Sequence, residues 1–226
     1  MEIQKTKIKT NLDTGFLKLI GIITMTCDHV GKMLLPDVLI LQQIGRIAFP
    51  IFAYCIFVGS GYTSNIWKYF LRLLGLAILF QIGYTFYCWP YWQDTFLELN
   101  IFFTLAIGLL CIIGIQERKW WIVLIGSFFA YCLNLDYSYV GVLLIVLFYL
   151  FRNIPILSLI VVGCHLLFIE TGYPLTIGLS MQSLAALSLP LIYIRTKLNF
   201  RINKYVFYIF YPVHFIILYL IDVFII

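Results

Sequence analysis

Long apolar runs follow one another along almost the whole chain, and only short polar segments separate them. Hydrophobic residues make up 63% of the 226 residues, charged residues make up 11%, and the mean hydropathy is +1.00. An ordinary soluble domain carries about 25% charged residues, and a membrane barrel shows alternating positions instead of long apolar runs. The sequence therefore predicts an all-α, polytopic membrane helix bundle. We expect about nine transmembrane spans, near residues 15–35, 43–63, 69–88, 99–115, 120–135, 139–152, 155–170, 177–194 and 205–226.

The charged residues between the spans predict how the bundle is oriented. If every predicted span crosses the membrane, most of the 15 Lys and Arg residues fall on one side. Basic residues in short loops mark the cytoplasmic face, so we expect the amino terminus in the cytoplasm and the carboxyl terminus outside. The net charge of +5 is then a topology signal, and no nucleic-acid partner is expected. The predicted outer side receives acidic residues, namely Asp37, Asp94, Glu98, Asp136 and Glu170.

The sequence shows no linker, repeat or soluble region outside the apolar runs. We therefore expect residues 1–226 to form one integral-membrane domain, in the inner (cytoplasmic) membrane of a bacterial cell. The six Cys residues are scattered singly, and the three His residues show no paired metal-binding spacing. No metal site is expected from such a pattern.

Two adjacent polar residues, Asp28 and His29, interrupt the first predicted span. A carboxylate and an imidazole are costly in hydrocarbon, so such residues generally pair with a partner or carry function. Lys32 lies one helical turn beyond Asp28, and a salt bridge between them is the ordinary structural explanation. Lys18 precedes His29 by eleven residues, which places both on one helix face, about 16 Å apart along the axis. One helix is therefore expected to carry a cation near the cytoplasmic surface and an imidazole deeper in the membrane.

Three further polar residues lie at the predicted outer ends of spans. Arg46 opens the second span, where it would either extend to the interface or neutralise an anion. Asn100 opens the fourth span, where a helix cap is the ordinary role. Asp136 lies in the turn between the fifth and sixth spans, and turn formation explains it as well as a site does.

The last predicted span carries His214 shortly after Tyr211 and Pro212. A proline inside a helix leaves a backbone carbonyl without its partner, and kinked helices with a buried His often line a cavity. His165, in the seventh span, is better explained by a hydrogen bond within the packed helices.

Four segments of the sequence carry a resemblance to a known family. Leu17–Gly31, Ile44–Ala53, Asn100–Leu105 and Tyr208–His214 together resemble the TraX family, which is named for the conjugative-plasmid enzyme that acetylates the amino terminus of pilin. The basic residue and the His separated by ten positions are also similar to the first helix of the transmembrane acyltransferases that use acyl-CoA.

The resemblance implies transfer of an acetyl (acyl) group from cytoplasmic acetyl-CoA to an amine or hydroxyl at the outer side. Lys18 would bind the CoA phosphates and His29 would act as general base. Arg46 or Asn100 would stabilise the oxyanion, and Asp28 would orient the cluster. The residues expected on the acceptor side are Asn100, Asp136, Tyr211 and His214.

The acceptor and the oligomeric state stay open at this point. A pilin-like protein, a small molecule, a lipid and a glycan are all compatible with the residues. A proton-coupled transporter is an alternative function, because Asp28, His29, His165 and His214 are the types that proton relays use. Against it, nine spans do not divide into two matched repeats. A second alternative is a non-catalytic component of a conjugation or secretion complex, with the polar residues serving only helix packing.

Overall fold

The computed structural model describes residues 8, 10–88, 99–133, 135–169, 180–196, 198 and 204–225, except for the side chains at 83–88, 204, 205, 208 and 225. Asp94, Glu98 and Glu170, predicted on the outer side, lie outside this part of the chain. Within it, turns and short bridges, such as the one between Leu99 and Leu135, connect the helices. The helices are α1 (Thr14–Met33), α2 (Leu39–Gly45), α3 (Ala48–Tyr62), α4 (Ile66–Cys88), α5 (Ile101–Gln116), α6 (Trp121–Cys132), α7 (Ser138–Leu150), α8 (Pro155–Phe168), a 3₁₀ helix (Met181–Ser188), α9 (Leu189–Tyr193) and α10 (Lys204–Ile225).

The predicted all-α class is confirmed for the described residues, and every predicted span has a helical counterpart. Two predicted spans are interrupted, because 43–63 contains the break between α2 and α3, and 177–194 contains the 3₁₀ helix and α9. Proline is best tolerated in the first turn of a helix, because further along the helix its missing N–H removes a backbone hydrogen bond and its ring clashes with the carbonyl four residues earlier. Pro50 and Pro190 each lie in the first turn of the second segment, so each explains an interruption.

Length and hydropathy single out one helical segment as able to cross a membrane alone. Within the described residues, only Leu39–Tyr62, with 24 residues and a mean hydropathy of 1.5, is both long and apolar enough. Other apolar helices, such as Ile101–Gln116 and Pro155–Phe168, have 10–17 residues. The number of spans and their direction therefore stay predictions.

Helix α3 forms the centre of the bundle. Most of its side chains are buried, and it packs against α1, α5, α7 and the 3₁₀ helix. Helix α10 packs against α1 and α4. The outward faces of the peripheral helices are also apolar, with Leu124 on α6 74% exposed, Ile156 on α8 73% exposed and Phe224 on α10 77% exposed. Soluble monomers rarely expose large contiguous apolar patches, so this surface is typical of contact with lipid or protein.

Candidate functional site: a cavity along the first helix

A cavity of about 690 Å³ lies between α1, α3, α4, α5 and α10. Its α1 wall includes Lys18, Ile22, Met25 and His29, which follow one another at steps of four, three and four residues. Residues at this spacing share one helix face. Lys18 and His29 therefore face the same cavity, about 16 Å apart along the axis of α1. A cavity of this volume is typical of sites for small molecules.

The end of the cavity near the start of α1, here named the Lys18 end, is basic and aromatic. The Lys18 ammonium lies 5.3 Å from the centroid of the Phe207 ring, within the range of a cation–π interaction. Among the described residues that line this end, none is acidic. The Lys18 end can therefore attract an anion. Its polar lining residues include Thr14, Lys18, Tyr62, Thr63, Tyr69 and Arg72.

The opposite end, here named the Asp28 end, contains a buried carboxylate between two cations. Oδ2 of Asp28 lies 2.6 Å from Nζ of Lys32, which confirms the salt bridge predicted from their spacing. Nη2 of Arg46 donates to Oδ1 of Asp28 at 2.5 Å. A Cβ atom on Gly45 would overlap the Asp28 side chain, so the absence of a side chain at position 45 lets α2 approach α1 this closely. Both Asp28 oxygens are engaged, so this carboxylate holds cations in place.

Arg46 is fixed on three sides at the Asp28 end. Besides Asp28, its Nε donates to the carbonyl of Gln42 at 3.2 Å, and its Nη1 donates to Oε1 of Gln182 at 3.3 Å. Gln182 belongs to the 3₁₀ helix, so Arg46 ties that helix to α1 and α2. The Arg46 side chain is 17% exposed and lines the cavity. Its guanidinium group therefore faces the cavity, fixed by these hydrogen bonds, and does not extend along the protein surface.

His29 contacts a second histidine, His214, and not the carboxylate of its neighbour Asp28, whose two oxygens bind Lys32 and Arg46. Its Nδ1 lies 2.9 Å from Nε2 of His214 on α10, and the two rings stack with centroids 5.1 Å apart. Nδ1 of His214 lies 2.9 Å from the carbonyl of Phe210, and the Phe215 ring lies 4.5 Å from the His29 ring.

No three His, Cys, Asp or Glu residues in the described part of the chain lie together as a metal site.

Tyr211 and Asp136 also line the cavity. The buried Tyr211 ring packs edge-on against Phe102, with centroids 4.8 Å apart. Asp136 is exposed in the turn between α6 and α7, and its carbonyl accepts a hydrogen bond from the hydroxyl of Thr104. Two expected acceptor-side residues are therefore placed on the wall of the cavity.

Asn100 caps α5 and, like His214, is a predicted site residue outside the described lining of the cavity. Its Oδ1 accepts from the backbone N–H of Phe102 at 3.0 Å, which makes it the cap of α5. Its Nδ2 donates to the carbonyl of Ala77 and to Oε1 of Gln81, both at 2.9 Å. Asn100 is buried and is not among the described residues that line the cavity. The structure thus gives it the capping role that its position at a helix start predicts.

A comparison with protein families accounts for nearly the whole chain. Residues 13–222 match the sequence model of the family described as TraX protein. The chain belongs to the TraX family. The matched region contains all eight predicted site residues, from Lys18 to His214. The family resemblance proposed from four short segments is therefore confirmed.

Two curated proteins are similar to this TraX-family chain. A probable fimbrial assembly protein FimC, serogroup H1, of Dichelobacter nodosus is 28% identical over 227 residues, which cover 88% of this chain and 91% of that protein. The uncharacterized protein RP591 of Rickettsia prowazekii (strain Madrid E) is 34% identical over 100 residues, covering 44% of this chain and 36% of that protein. No solved structure matches the chain.

Tyr137 and Gln182 are among the residues of this TraX-family site that were not predicted from the sequence. Tyr137 lines the cavity with a left-handed backbone (φ 61°), and its ring stacks on Phe49 with centroids 3.9 Å apart. Gln182 holds Arg46 from the 3₁₀ helix. A positive φ is uncommon for a residue other than glycine and marks a constrained position, but the sequence gives no sign of it. For Gln182, the only sign in the sequence is that a polar side chain interrupts an apolar run.

Proposed function

We propose that this TraX-family chain is a membrane-embedded acyltransferase, which moves an acetyl (acyl) group from cytoplasmic acyl-CoA to an amine or hydroxyl on the outer side. The observation that carries the proposal is the single cavity with Lys18 near one end and His29 near the other. Lys18, a cation that can bind a phosphate-bearing cosubstrate, and His29, a base that can activate an acceptor, therefore line the same cavity. Membership of the TraX family supports the same chemistry.

The proposed enzyme acts within the bacterial cytoplasmic membrane as a bundle of about nine spans. The exposed apolar faces of α6, α8 and α10 support contact with lipid. If each predicted span crosses, with α2 and α3 together as one span, Lys68 on α4, Arg118 after α5 and Arg152 after α7 all lie on the same side as the Lys18 end. The positive-inside rule then assigns the Lys18 end to the cytoplasm and the Asp28 end to the outside.

The Lys18 end is the proposed site for the nucleotide part of acetyl-CoA, the co-substrate. Lys18 and Arg72 supply two positive charges there, and phosphates are bound by such cations. Tyr62 and Tyr69 add aromatic surface at the same end. From this position the long thioester arm extends through the cavity along the face that Ile22 and Met25 form. No metal is required for the chemistry.

His29 is the proposed general base at the Asp28 end. The acceptor nitrogen or oxygen attacks the thioester carbonyl carbon and forms the new bond, while its proton passes to the imidazole of His29. The tetrahedral intermediate then collapses, the carbon–sulfur bond breaks, and the proton moves from His29 to the leaving sulfur. The products are the acylated acceptor and free CoA, and His29 returns to its neutral form.

Arg46 is the proposed cation that stabilises the negative charge on the thioester oxygen. A fixed donor acts well in this role because it needs no reorganisation during the reaction. Asp28 and Gln182 hold the guanidinium in place, and Arg46 lines the same cavity as His29. Asp28 is thus a positioning residue, and Lys32 balances its second oxygen.

The acceptor enters at the Asp28 end, where Asp136 and Tyr211 line the cavity. The relative from Dichelobacter nodosus is described as a probable fimbrial assembly protein. That description and the family name favour the amino terminus of a pilin-like protein as the acceptor. Small molecules, lipids and glycans with free amines or hydroxyls are the other classes to assay.

The direct test uses purified protein in nanodiscs with radiolabelled acetyl-CoA and a panel of amine and hydroxyl acceptors. We expect label transfer to an acceptor, or slow hydrolysis that releases CoA. His29→Ala should lower this rate by about 10²- to 10⁴-fold, since that is the typical contribution of a general base. His165→Gln is the matched control, because His165 lies away from the cavity and its Nε2 meets the carbonyl of Val140 at 3.0 Å.

Near-full activity of His29→Ala would rule out the proposed base. If the wild type neither transfers nor hydrolyses the label with any acceptor, acyl transfer is refuted. Proton-dependent solute uptake in liposomes would then support the transporter, and its absence would leave the non-catalytic assembly role.

A further inference from the structure

We infer that His214 is the positioning residue that fixes the tautomer of His29 and leaves Nε2 of His29 as its basic nitrogen. The assignment of the tautomer follows from the hydrogen bonds of a neutral histidine pair, whereas its effect on turnover rests on the proposed acyl transfer. His214 itself is not among the described residues that line the cavity, so it acts through His29.

The hydrogen bonds determine where the protons lie, beginning at the carbonyl of Phe210. A carbonyl oxygen can only accept, so Nδ1 of His214, 2.9 Å away, must carry a hydrogen and donate it. A neutral imidazole carries one N–H, so Nε2 of His214 is then an acceptor. Its partner at 2.9 Å is Nδ1 of His29, which must therefore be the donor. The remaining nitrogen of His29, Nε2, holds the lone pair.

The surroundings of the two rings favour the neutral pair on which this reasoning depends. Aromatic rings of Phe210 and Phe215 lie within 5.0 Å of the His rings, centroid to centroid. Burial beside apolar rings disfavours an unpaired charge. The carboxylate on α1, Asp28, is already bound to Lys32 and Arg46, so it does not serve as a counter-ion for His29.

This arrangement gives the two nitrogens of His29 separate roles. Among the described residues, Nδ1 of His29 has a partner in His214, while no hydrogen bond engages Nε2. His29 lines the cavity, so Nε2 is the nitrogen left to accept a proton from a bound acceptor. Once Nε2 is protonated, the Nδ1–H bond to His214 becomes charge-assisted and stabilises the imidazolium. Without His214, the ring can carry its proton on Nε2 and lose its function as a base.

The tautomer is measured directly by nitrogen-15 NMR of histidine-labelled protein in nanodiscs. The chain has three histidines, and His165→Gln removes one signal, so the two remaining signals belong to His29 and His214, both of which we expect to carry the proton on Nδ1. We expect wild-type His29 to carry its proton on Nδ1 only. Protonation of wild-type His29 on Nε2 would overturn the proposal, and this measurement needs no variant at position 214 and no activity.

Two substitutions of His214 separate positioning from packing. His214→Gln keeps an acceptor within reach of Nδ1 of His29, whereas His214→Leu fills similar space without one. We expect His214→Leu to show a mixture of His29 tautomers and a kcat about 10- to 100-fold lower, the range also seen when the hydrogen-bond partner that orients a metal-binding histidine is removed. The KM for acetyl-CoA should change less than about twofold, because the Lys18 end is untouched, and His214→Gln should restore most of kcat.

The outcomes distinguish this inference from the proposed function. A single Nδ1 tautomer of His29 in His214→Leu would overturn the positioning role. If His214→Leu shows the expected mixture of His29 tautomers but the wild-type protein shows no acyl transfer, the positioning role is supported and the enzymatic proposal is refuted.

Discussion

Replacing Gly45 with alanine tests whether the close approach of α2 to α1 holds the charged cluster together. A Cβ atom at position 45 would overlap the side chain of Asp28, which bridges Lys32 and Arg46. The Asp28 carboxylate would have to move away from at least one cation. Breaking a buried ion pair in this way costs about 3–5 kcal/mol, because an uncompensated charge is left behind. Alanine recovers only about 1 kcal/mol of helix propensity relative to glycine.

The net loss of stability expected for Gly45→Ala is therefore about 2–4 kcal/mol. For a chain of this length, that corresponds to a Tm lowered by about 5–15 °C. The assay is thermal unfolding of the purified protein in detergent, followed by tryptophan fluorescence. Gly75→Ala on α4 is the matched control, because a Cβ atom there meets nothing within 4 Å, and we expect its Tm to be equal or slightly higher. Equal Tm values for Gly45→Ala and Gly75→Ala would refute the close-approach explanation.

Two further substitutions separate cosubstrate binding from helix capping. Lys18→Ala should raise the KM for acetyl-CoA by about 10- to 100-fold with little change in kcat, because a hydrogen bond to a charged group contributes about 1.5–3 kcal/mol. The control variant Lys18→Arg should keep a KM near that of the wild type. An unchanged KM in Lys18→Ala would show that Lys18 does not bind the cosubstrate. Asn100→Ala should lower the free energy of unfolding by about 1–2 kcal/mol through loss of the α5 cap, while kcat per folded molecule stays unchanged. A selective loss of kcat in Asn100→Ala would instead indicate a direct role in the reaction.

Much of the fold could be predicted because the deciding information is local. Each apolar run between polar segments became a helix or a pair of short helices, and Asn100 capped α5 at the predicted start of a span. The breaks before Pro50 and Pro190 were missed, although both prolines are visible in the sequence. Hydropathy averages over such breaks, because it counts apolar residues and ignores where the backbone hydrogen bonds end.

The features of the site also differ in whether they depend on local sequence or on the packing of distant helices. The shared face of Lys18 and His29 and the salt bridge between Asp28 and Lys32 depend only on the pitch of one helix, so spacing predicted them. The bond between His29 and His214 joins residues 185 positions apart. Such contacts depend on how helices pack, and a single sequence does not contain that information in local form. The same reason explains why Gln182 was not recognised as the partner of Arg46.

A structure of the protein with a non-hydrolysable acetyl-CoA analogue bound in nanodiscs is the most direct test of the cavity as the path for acyl transfer. We predict phosphate density within hydrogen-bonding distance of the Lys18 ammonium, the arm along Ile22 and Met25, and the acyl carbonyl beside His29. A bound analogue that lies outside this cavity, or a His29 ring turned towards lipid, would contradict the proposed function.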